Sequence, residues 1–155
     1  ETLMTLPVNE VHVVTGKYLA SFLSTLIMIS PSIFYVITTA IFGDPDVGPI
    51  IGGYIGTIFL CAGFTAVGVF ASSVTKNQII AFFTGFIICI ALTMIDTFLV
   101  FLPSNIVEFV SYISADMHFR SITQGIIDSR DLVYFITVFA LFFTATIKVQ
   151  QNAKK

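Results

Sequence analysis

What most limits this chain is where charge is absent. Residues 18–43, 47–75, 77–95 and 132–147 contain no Asp, Glu, Lys or Arg. A helix rising about 1.5 Å per residue needs about 20 residues to cross about 30 Å of hydrocarbon. The first two runs exceed that length. The third continues past Asp96 through the apolar residues 98–102. The fourth is short, but Lys148 can snorkel to the interface and lengthen it. Soluble domains average about 25% charged residues, whereas here 10% of 155 residues are charged and 56% are hydrophobic. The pattern predicts an all-α integral membrane protein in contact with the lipid bilayer. It has four transmembrane helices, at 18–42, 50–73, 79–102 and 132–147.

The remaining segments are too short or too polar to span. Residues 1–16 are interrupted by Pro7, which predicts two short helices at an angle rather than one straight one. Asn9 can cap the second helix, and Glu10 then falls in its first turn, where the helix dipole favours an acid. That helix is expected to run through Gly16 and Lys17 directly into the first span, with a kink at Pro31. GDPDVGP, residues 43–49, reads as a compact turn. In the second span Gly52, Gly56, Gly63 and Ala66 fall on one helical stripe, where small residues let another helix come close.

Residues 103–131 carry two amphipathic patterns. Asn105 and Glu108 have capping-box spacing, with Ile106, Val110, Ile113 and Met117 on one face. Phe119, Ile122 and Ile126 share a face in the second. Two short helices lying at the outer membrane surface, or dipping into it as a re-entrant pair, fit both patterns. Residues 148–155 form a polar tail. If the N-terminus is inside, the cytoplasmic side carries Lys17, Lys76, Lys148, Lys154 and Lys155, and the outer side only Arg120 and Arg130. That asymmetry follows the positive-inside rule and places both termini in the cytoplasm.

Sites of chemistry are sparse. No HExxH, GxSxG, phosphate loop or metal-spaced Cys/His set occurs, and no basic tract indicates nucleic acid. His12 and His118 read as surface or interfacial histidines without a second ligand nearby. Asp96 is the ionisable residue inside an apolar stretch. It is either solvated at the outer end of its span, by water or Thr97, or part of a substrate path or helix pairing. Asp128, Ser129, Arg130 and Asp131 read either as local capping with an Arg–Asp pair or as an outer gate or partner contact.

Three stretches also resemble a known family: ETLMTLP…GKYLA (residues 1–20), GVFASSVTKNQ (68–78) and HFRSITQGIIDSRDLVYF (118–135). Together they are similar to the permease subunits of second-class ABC exporters, in the gliding-motility permease-like branch. The likeness covers essentially all of these residues and about the last two-thirds of a family permease of about six spans. It therefore implies about 80–110 further residues upstream, with two more spans. It implies that ETLMTLP is a cytoplasmic coupling segment seated on a separate ATPase subunit, with Thr2, Leu3, Leu6, Pro7 and Glu10 in contact. ATP and Mg would bind that partner, with no cofactor on this chain, and a second permease copy or homologous permease would complete the transporter. The function expected on this basis is passage of a substrate across the cell membrane, powered by the partner. The competing expectation is a non-transporting membrane scaffold or complex subunit.

Overall fold

The computed structural model describes residues 10–95, 97, 112–125 and 128–153, and the regular elements among them are all helical. α1 spans Glu10–Ile29 and is followed by a single 3₁₀ turn, Ser30–Ser32, and by α2, Ile33–Phe42. α3 covers Val47–Val74, α4 Gln78–Met94, α5 Ala115–Thr123 and α6 Ser129–Ala153. Three stretches are long and apolar enough to cross a membrane: Val11–Phe42, Val47–Val74 and Ser129–Asn152. Apolar α4 is shorter, and the rest of the expected third span, with Asp96 and residues 98–102, lies outside the described residues.

Each boundary has a local cause. Pro31 has no N–H to give the carbonyl of Ile27, one turn back, and its ring crowds that turn. The chain tightens to 3₁₀ there, and the Ser30 hydroxyl donates to Ile27 O at 2.8 Å in place of the missing amide. Asp46 opens α3 by accepting from Gly48 N at 3.1 Å. Asn77 opens α4, its Oδ1 accepting from Ile79 N at 2.9 Å. Ser114 opens α5 by accepting from Met117 N. That cap alters one expectation: Tyr112–Ser114 are not helical, so Ile113 and Met117 do not share one continuous amphipathic helix. The other residues of the first expected outer helix lie outside the described residues.

α3 is the central element and touches α1, α4, α5 and α6. Its buried face is made of Gly52, Gly56, Gly63, Ala66, Val67 and Ala71. Gly56 packs on Phe119 and Ile122 of α5, Gly63 on Val138 and Phe135 of α6, and Ala71 on Gly85 of α4. Gly52 sits where α5 ends, so close that an added Cβ would collide with the carbonyl oxygen of Ile122. Gly125 follows at φ +83°, a left-handed conformation that glycine adopts without strain, and rests against Gly48 and Pro49. α1 joins the bundle through Tyr18, whose hydroxyl donates to Ala62 O at 3.1 Å and whose ring lies 4.9 Å from that of Phe139.

Away from α3 the surface is apolar. α2 has no buried residue, and Met28, Phe42 and Tyr35 are about as exposed as side chains become. In water such a surface would aggregate, but against acyl chains it costs nothing.

The contrast between adjacent glycines gives a direct test. Gly52→Ala should destabilise the detergent-solubilised protein by about 1–3 kcal/mol, the usual cost of overpacking. Gly53→Ala, whose added Cβ meets nothing within 4 Å, should be neutral or slightly stabilising. Thermal unfolding of the two variants side by side measures the difference.

Candidate functional site

The charged residues singled out at the start of the last span come together with α5. Asp128 acts locally: its Oδ1 accepts from Arg130 N at 3.1 Å and from the Ser129 hydroxyl at 3.4 Å, which caps the first turn of α6. Arg130 is exposed and makes no ion pair among the described residues, so an Arg130–Asp131 pair does not form. Asp131 instead turns inward, is 5% exposed, and receives His118 Nδ1 at 2.6 Å.

His118 is held from three sides. Its Nε2 lies 3.1 Å from the carbonyl of Tyr112, and its ring stacks on Tyr134 at 4.4 Å. Tyr134 in turn donates its hydroxyl to Ile113 O at 2.7 Å. Both ring nitrogens face oxygen acceptors, so both bonds are made together only when each nitrogen carries a proton. The second carboxylate oxygen of Asp131, Oδ2, is buried with no hydrogen-bond partner. The cluster borders a cavity of about 320 Å³ that Asp128, Arg130 and Ser121 also line. On the same helix Arg120 pairs with Asp116 at 2.7 Å, one turn apart, on the outward face.

Sequence reasoning left His118 without a partner. The usable signal was weak: a histidine on one short helix, a glycine turn, then an acid in the first turn of the next helix. Nothing in a spacing of 13 residues identifies such a pair, because the turn geometry decides whether they meet.

The other residues expected to be functional lie on α3 or α1 or outside the described residues. Gly52, Gly56, Gly63 and Ala66 are all buried on α3, and their stripe is covered within the chain by α5 and α6. Thr2, Leu3, Leu6, Pro7 and Asp96 lie outside the described residues, and Glu10 is described only as the first residue of α1. Among the described residues no group of three or more His, Cys, Asp or Glu could hold a metal ion.

Removing His118 leaves a buried carboxylate without its one side-chain partner. His118→Ala should therefore cost about 3–5 kcal/mol, the usual penalty for breaking a buried pair. Arg130→Ala, which removes an exposed side chain, should stay within about 0.5 kcal/mol. A double-mutant cycle with Asp131→Asn, read by thermal unfolding, isolates the coupling between the two side chains.

No family model matches this chain, and neither does any curated protein or solved structure.

Proposed function

We propose that this chain is the membrane-spanning permease subunit of an ABC exporter, which moves its substrate with energy from ATP hydrolysed by a separate subunit. The observation that carries the reading is mechanical. α1 begins at Glu10 and passes through Gly16 and Lys17 without interruption to Ile29, deep in the first apolar run. Force applied to the start of α1, residues 10–16, would therefore tilt the first span rather than dissipate in a loop. The family resemblance of residues 1–20 supplies the source of that force, an ATPase seated on Thr2, Leu3, Leu6, Pro7 and Glu10.

Two further arguments support the reading. The lysines fall at one end of the helices and Asp44, Asp46, Asp116, Asp128 and Asp131 at the other, as expected for a multi-pass protein of the cell membrane with both termini in the cytoplasm. The short helix α5, folded back onto α3 before the last span, stands where the resembling permeases carry an outer helix pair. On this reading α4 and the apolar residues up to 102 make up a fourth span, and a second permease packs against the exposed apolar faces of α2 and α4. Asp96, Asp128, Arg130 and Asp131 then lie towards the outer mouth of the pathway.

Two experiments test this. Single cysteines at Asp46 or Asp116 should react with an impermeant thiol reagent on intact cells, and at Asn77 or Asn152 should not. The inverse pattern reverses the orientation and removes the coupling assignment with it. The double change Leu3→Asp with Leu6→Asp should leave the protein inserted and abundant yet abolish co-purification of the ATPase, since two carboxylates would have to be desolvated in an apolar groove. Retention of the ATPase at wild-type affinity, with unchanged hydrolysis, would instead favour the scaffold reading.

A further inference from the structure

A cleft of about 700 Å³ opens between α1 and the second half of α3, and Gln150 of α6 also lines it. Its size falls within the range of small-ligand sites, about 300–1,000 Å³. The walls are graded in polarity. Leu60 and Phe64 supply apolar surface along its length. Lys17, Ser72 and Gln150 line the end where α1 starts and α3 and α6 finish.

Several polar groups in this cleft lack a partner, although Thr25 and Ser73, which also line it, bond within their own helices. A serine or threonine in a membrane helix ordinarily returns its hydroxyl to a carbonyl one turn back. Thr25, Thr57, Ser73 and Thr146 all do so here. The Ser and Thr side chains of the described helices that make no hydrogen bond are Ser21, Thr65, Ser72 and Thr84, and the first three line the cleft. Gln150 is 6% exposed and its amide also has no hydrogen bond among the described residues. Lys17 has no carboxylate within ion-pair distance among the described residues. Lys17, Ser21 and Ser72 are exposed at the cleft rather than sealed in the core, so their donors are open to an occupant rich in acceptors.

We propose that the cleft binds an anionic phospholipid, with the phosphate at Lys17, Ser72 and Gln150 and an acyl chain along Leu60 and Phe64. A phosphodiester brings one negative charge and several acceptor oxygens, which matches a cation, an amide and hydroxyls. A helix from a second copy would fill the apolar length, but its own backbone is already satisfied and would leave these donors unpaired. Free phosphate would satisfy the polar end and leave the apolar length empty. The proposal stands apart from the permease reading, since it needs neither an ATPase nor a transported substrate.

The full chain, purified in detergent, can be titrated with phosphatidylglycerol, phosphatidylcholine or inorganic phosphate and read by native mass spectrometry. Phosphatidylglycerol should be retained about tenfold better than phosphatidylcholine, a difference of the size expected for one charge-assisted contact. Lys17→Gln should erase that preference, whereas Lys76→Gln and Lys148→Gln, away from the cleft, should keep it. Gly68→Leu provides a second route, because a Cβ at Gly68 meets nothing within 4 Å and the leucine would fill the cleft without altering charge. It should lower phosphatidylglycerol retention about as much as Lys17→Gln. The proposal is overturned if the two lipids are held equally, or if both cleft variants bind like the parent chain. Displacement of the lipid by equimolar inorganic phosphate also overturns it, since the site would then take an anion without a lipid.

Discussion

Helices in lipid gain nothing from excluding water between them, so close contact must come from shape. Here that condition is met along one face of α3. Without side chains at Gly52 and Gly56, α5 can lie directly on the start of α3, and Gly63 admits Phe135 and Val138 of α6. The position of α6 follows from this, as does the meeting of His118 with Asp131, which needs α5 and the start of α6 side by side. A bundle of the same hydrophobicity without this stripe would have no reason to hold α5 in place.

A second condition is that each polar group in such an environment must find a partner inside the protein. Most of the hydroxyls manage this within their own helix, and the Tyr18 and Tyr134 hydroxyls do so across elements, at Ala62 O and Ile113 O. Two of the departures, Asp131 Oδ2 beside α5 and the donors around Lys17, each border a cavity. One lies between α5 and the start of α6, and the other between α1 and α3.

How much could be read in advance depended on the range of each signal. Charge-free runs act over whole helices, and so the long apolar elements at Val47–Val74 and Ser129–Asn152 were legible. Pro31 marked the break in the first span because proline acts on its own turn, although the Ser30 hydroxyl that repairs it went unread. The spacing of Gly52, Gly56, Gly63 and Ala66 marked a face fit for close approach but could not name what approaches, which depends on how the chain returns through α5 and α6. The amphipathic period through Ile113 and Met117 misled, because Ser114 caps a new helix between them. His118 with Asp131, and the unpaired hydroxyls of the cleft, are products of tertiary placement and have no local signature.

The break at Pro31 also bears on how this chain fits a bilayer. The stretch Val11–Phe42 contains 32 residues, or about 48 Å of helix, against about 30 Å of hydrocarbon. A rigid rod of that length would have to tilt steeply or thicken the membrane around it. The 3₁₀ turn divides the excess: α1 is anchored to the bundle by Tyr18, whereas α2 buries nothing and is tied to α3 through the Ser32–Tyr54 hydroxyl contact at 2.9 Å. Swinging α2 about this joint would disturb no core packing, since α2 has no buried residue. Hydrophobic mismatch is thereby taken up at one local joint, and membranes of different thickness can be matched with the α3 bundle undisturbed.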